Sequence, residues 1–144
     1  MYIRLSSVII IAFSIFVLAF TNNTNQWKDF KEIKGVKILT KTAKCATQYN
    51  TLKNEYYVFK YVNNNKYNIR LTYKINLWVG ENCRSCDLSS PNEYEISLDI
   101  KAGQTLQYAC SDDNKAFKLF KSSPKLKKVT KIKFDFINLR VEKI

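Results

Sequence analysis

Four cysteines, Cys45, Cys83, Cys86 and Cys110, set against no histidine at all, bound the chemistry open to this chain of 144 residues. Cys83-Arg84-Ser85-Cys86 has the spacing of a thiol oxidoreductase motif, which works where a helix start inside an α/β unit lowers the thiolate pKa. Here it runs into Asp87-Leu88-Ser89-Ser90-Pro91, a loop-forming string. Four gathered thiolates would also hold zinc tetrahedrally, but such sites use two close pairs and only one is present. Structural disulfides therefore lead, with thiol exchange as the alternative, and the three possible connectivities stay open.

The lack of histidine removes Ser-His-Asp and Cys-His nucleophile systems and the commonest acid or base near neutral pH. A glycosidase needs only two carboxylates. Glu93, Glu95 and Asp99, however, fall at strand spacing opposite apolar positions, which describes a solvated strand face. Asp112-Asp113-Asn114 has calcium-ligand types, yet three polar residues in a row after a strand make an ordinary turn. These residues predict no catalytic group, no metal site and no cofactor.

Cations are the more promising chemistry. The chain carries 24 Lys and Arg against 12 Asp and Glu, a formal charge of +12. Such a field draws in acidic partners through a long-range attraction that salt screens. One stretch without any acid holds eight lysines, Lys115, Lys118, Lys121, Lys125, Lys127, Lys128, Lys131 and Lys133. A second candidate is the alternating row Arg70, Thr72, Lys74, Asn76 and Trp78, in which Arg70, Lys74 and Trp78 set cations beside an aromatic plate suited to sugars or acidic polymers. Lysines in loops and on edge strands also block sheet-to-sheet aggregation. Phosphate recognition usually recruits Arg, and only four Arg are present. That points away from nucleic acid and toward an anionic glycan, a lipid headgroup or a cell-surface polymer.

The elements that must position these residues are strands. Val36, Ile38 and Thr40 alternate with Lys37, Leu39 and Lys41, and period-two patterning continues to the end of the chain. Residues 55–62 and 69–79 flank Asn63-Asn64-Asn65-Lys66, a hairpin signal. Ile69, Leu71, Tyr73, Ile75, Leu77 and Val79 share the inward face of the second strand. On the first, an odd register buries Phe59 opposite Leu71 and Tyr61 opposite Ile69, and spares Lys60 an unpaired burial. Residues 93–100 and 105–110 read as a second hairpin around Gly103, and 117–120 as a short strand. In the last strand, residues 131–141, the apolar set shifts from Ile132, Phe134 and Phe136 to Ile137, Leu139 and Val141, which predicts a β-bulge between Phe136 and Ile137. About seven strands without a helical pattern predict an all-β, antiparallel β-sandwich of immunoglobulin-like or fibronectin-like architecture, with a small open barrel as the alternative. Consecutive antiparallel strands would bring all four cysteines to one pole; there, pairing Cys110 with Cys83 or Cys86 and the other of these with Cys45 would tie three crossings together, but the pattern does not choose among the three connectivities.

Arg4 followed by the apolar run at residues 8–20 and then polar residues reads as a secretory signal peptide cleaved after Ala19, or after Thr21, since the run is shorter than the 20 or so residues of a membrane span. The expected organisation is a signal peptide at 1–19, an irregular lead-in at 20–34 docked by Trp27, which is a possible cover for Trp78, and one domain at 35–144. No stable transmembrane span is expected after processing. The run Asn92-Glu93-Tyr94-Glu95-Ile96-Ser97-Leu98 through Gly103 to Cys110 resembles small secreted β-rich proteins of the Bacteroidetes, which share a signal peptide and a Cys-x-x-Cys loop. The resemblance implies no activity and hands over no functional residues. The sequence thus predicts a secreted or periplasmic, non-enzymatic, disulfide-bonded sandwich that binds an anionic surface or polymer through its Lys-rich side. The alternatives are a thiol oxidoreductase using Cys83 and Cys86, and a structural accessory subunit.

Overall fold

Two antiparallel sheets pack face to face in the computed structural model, which describes residues 26–47, 50–125 and 131–144. The expected signal peptide, Lys127 and Lys128 lie outside the described residues. The first sheet begins as a meander of β1 (Lys28–Ile33), β2 (Val36–Thr47) and β3 (Asn50–Asn63). β4 (Ile69–Val79) is the centre of the second sheet, with β9 (Ile132–Lys143) along one side and β5 (Asn82–Cys83) and β6 (Glu95–Ile100) along the other. β7 (Thr105–Gln107) and β8 (Lys118–Ser122) return to the first sheet and share the free edge of β3. No helix occurs among the described residues, so none there is long and apolar enough to cross a membrane.

Among the described residues nine strands rather than about seven make the sandwich, and the expected irregular lead-in contains one of them. β1 reaches β2 through the two-residue turn Lys34-Gly35, both residues with positive φ (44° and 75°), the geometry that matches a hairpin's twist. A Cβ on Gly35 would stand 2.7 Å from Asn65 Oδ1, so the turn is also a docking point.

Neither predicted hairpin exists. Phe59 and Tyr61 are buried as the odd register requires, but β3 and β4 lie in different sheets, so these side chains meet β4 across the core and not beside it. β6 and β7 are separated in the same way. Alternation identifies the face of a strand and is silent about its neighbour. What redirects the chain is Asn63, fully buried at the crossing, whose amide donates to the carbonyls of Tyr67, Ile100 and Lys101 and whose Oδ1 accepts from the Asn65 backbone. One side chain thereby ties the β3–β4 and β6–β7 crossings together.

The core between the sheets is aromatic. Tyr73 stacks on Phe136 (4.3 Å between ring centroids), Phe59 lies 4.9 Å from Phe136, and Phe30 of β1 closes the flank edge-on to Phe136 at 5.0 Å. Tyr61 donates to the Ala116 carbonyl, which leaves Tyr73 to donate to the Tyr61 oxygen. Burial pushes both phenols well above their ordinary pKa. The bulge in β9 is present slightly later than expected: Ile137 to Arg140 oppose only Lys74 to Thr72, and Asn138 takes a positive φ of 55°.

Candidate binding site

The outer face of the second sheet carries the alternating row of β4. Arg70 is spoken for, because its guanidinium donates twice to Asp99 on β6, at 2.7 and 2.8 Å. Those hydrogen bonds hold the Asp99 carboxyl below its usual range. Two residues further on, Thr72 stands between Ser97 of β6 and Arg140 of β9, and Lys74 stands between Glu95 and Ile137. Around them opens a groove of about 490 Å³. Thr72 and Ser97 form its hydroxyl floor, Asn138 and Arg140 one rim, and Pro91, Asn92 and Glu95 the other.

Each wall has a local cause. On the β9 side the extra residue of the bulge bends the strand, and bulges of this kind re-aim the side chains beside them; Arg140 is the side chain concerned. It is exposed, and among the described residues no carboxylate lies within ion-pair distance of it. On the β6 side Asn92 shapes the loop, accepting from the Tyr94 backbone and donating to the Ser89 carbonyl. Glu95 accepts from Ser90 at 2.8 Å and from Asn92 at 3.4 Å, so its charge is directed into the loop. Lys74 Nζ donates to the Cys86 carbonyl at 3.0 Å, which anchors the ammonium and leaves it further donors.

Of the three connectivities left open, the structure has Cys45 paired with Cys110 and Cys83 with Cys86. Because β7 joins β3 and not β6, Cys110 is carried along the first sheet to Cys45, while the other two close on each other beside β4. The bridges thus lie on the outer sides of different sheets. Between β6 and β5 the ladder along β4 has a gap, and the Cys83–Cys86 loop fills it with a side chain. Fully buried Ser85 donates to the Ile75 carbonyl (2.7 Å) and accepts from the Leu77 N–H (2.9 Å).

Three of the six described lysines of the eight-lysine stretch are engaged by carboxylates. Lys115 pairs with Glu93, Lys121 with Glu55, and Lys118 with Asp113 while donating to the Cys110 carbonyl. Lys125, Lys131 and Lys133 are exposed, the last on the outer side of the second sheet beside Trp78. Asp112 accepts from the Ala109 backbone, a turn contact, and among the described residues no three His, Cys, Asp or Glu stand together as metal ligands do. Trp27 does not cover Trp78. It lies against the first sheet, between the ammonium groups of Lys41 and Lys60 at 4.8 and 4.7 Å from its ring centroid. Of the groove residues, the alternating row singled out Thr72 and Lys74, whereas Arg140, Ser97 and Asn138 arrive from strands whose pairing partners the pattern does not name. The shift of apolar face in β9 was the one signal that pointed near Arg140. No known protein family, curated protein or solved structure matches this chain.

Proposed function

We propose that this chain is an exported, disulfide-bonded binding module that holds an anionic group in the groove on the outer face of the second sheet. Arg140, exposed beside a concave surface and with no carboxylate partner among the described residues, is the observation that carries the reading. Its planar fork suits a carboxylate, sulfate or phosphate. Lys74 and the hydroxyls of Thr72 and Ser97 supply the remaining donors. Glu95 is the single carboxylate among the residues lining the groove, whereas glycoside hydrolysis uses two, which favours binding over catalysis. Export is supported by the charged and apolar N-terminal pattern and by the two disulfide bridges. The excess of Lys and Arg over Asp and Glu steers acidic polymers toward the module.

The exported protein is expected to be retained on a sulfated polysaccharide matrix and released by salt. Arg140→Ala should elute at lower salt, and Arg140→Glu should scarcely be retained. Retention that ignores salt, or an Arg140→Ala protein that elutes with the parent, would refute the assignment.

A further inference from the structure

The anion groove does not stand alone on its face. Along the same outward row of β4, Trp78 lies six residues beyond Thr72, roughly 20 Å away at the rise of a strand. There a second concavity of about 460 Å³ opens, lined by Trp78, Gly80, Glu81, Lys133 and Phe134. Trp78 is half-buried, so one part of its ring system is held by the sheet and the rest faces solvent. Lys133, directly across the ladder from it, is exposed and has no carboxylate within ion-pair distance among the described residues. Between the two concavities the seam of β4 and β9 presents Asn76 beside Asp135 and Lys74 beside Ile137. The Asp135 carboxylate is occupied by Lys31 at 2.8 Å and by the Phe136 backbone N–H, so the acid midway along the seam is already compensated.

We infer that the two concavities are the ends of one elongated site whose occupant is an acidic polysaccharide, with an anionic sugar held at Arg140 and a later sugar ring stacked on Trp78. This rests on the anion groove proposed above and adds its ligand class. Cations prevail along the seam: Arg140, Lys74 and Lys133 stand against Glu95, which is engaged by its own loop, Asp135, which Lys31 pairs, and Glu81 at the far end. An aromatic plate flanked by a cation and by an acceptor, Glu81, matches a sugar unit, which offers an apolar ring face, hydroxyl donors and an acid group together. A single lipid headgroup or free phosphate fills the groove and leaves Trp78 unused. Length dependence therefore separates the two kinds of ligand.

The test is calorimetric titration of the full exported protein with oligogalacturonates and with heparin-derived oligosaccharides, each two and six sugars long. The six-sugar probe of at least one series should bind about tenfold or more tighter than its two-sugar counterpart, as expected for an added aromatic anchor. Trp78→Ala should erase that gain while leaving the two-sugar affinity in place, and Trp78→Phe should restore much of it. Arg140→Ala should weaken both lengths. If Arg140→Ala weakens binding but Trp78→Ala leaves the six-sugar affinity unchanged, the elongated site is wrong and the anion groove stands. If neither series binds, or Arg140→Ala changes nothing, the groove itself is wrong. Binding to phosphatidylglycerol vesicles that needs Arg140 and ignores Trp78, with no gain from longer sugars, overturns the polysaccharide in favour of a headgroup.

Discussion

Tyr61 and Tyr73 show how two polar side chains survive in an aromatic core. Each hydroxyl is satisfied in a relay that ends on the Ala116 carbonyl, so burial adds packing without an orphaned donor. The same relay fixes a pH limit. Both phenols ionise at higher pH in the folded protein than the value of about 10 they have in an unfolded chain, so their contribution is complete below about pH 10 and is lost as pH rises beyond it. Urea midpoints should hold steady up to about pH 9 and fall steeply by about pH 11, and Tyr73→Phe should make that alkaline fall shallower.

The strands show which parts of the architecture are legible from patterning and which are not. Alternation placed Ile69, Leu71, Tyr73 and Ile75 on the buried face of β4 and implied a sandwich, because burying one face of each strand is a local property of its side chains. Partner choice is a property of two distant segments. Nothing local to residues 55–79 says whether Asn63 closes a hairpin or spans two sheets, the same holds for β6 and β7, and the choice among the three cysteine connectivities depends on those partners. β1 escaped notice because Asp29 and Lys31 straddle a register shift that breaks the alternation. Ser85 was invisible for a related reason, since its role depends on a gap between two other strands. Ser85→Ala would leave a buried carbonyl and a buried N–H unpaired in the β4 ladder, and should lower unfolding free energy by about 2 kcal/mol in urea titration. At the bulge, Asn138→Val puts a β-branched residue at positive φ and should cost roughly 1–3 kcal/mol, while also weakening polyanion retention by disturbing Arg140.

At the scale of the whole molecule, the two disulfides contribute unequally. Cys45–Cys110 closes a span of 65 residues, and Cys83–Cys86 a span of 3. Restriction of the unfolded chain then favours the long bridge, about 4 kcal/mol against less than about 2. Denaturant titration of Cys45→Ser/Cys110→Ser should therefore show a far larger loss than the Cys83→Ser/Cys86→Ser protein, whose deficit should resemble that of Ser85→Ala. The order of assembly is asymmetric too. β1, β2 and β3 find partners among near neighbours in the sequence, as one edge of β4 does with β5 and β6, but the other edge of β4 must wait for β9, which pairs Val79 with Ile132 and Ile69 with Lys143 and brings Phe134, Phe136 and Val141 to the core. A polypeptide cut short before residue 132 would possess a satisfied meander and an unroofed greasy layer. Copies in which β9 is seated conceal their interior, and copies that lack it advertise that interior to any protease that patrols for exposed apolar chain.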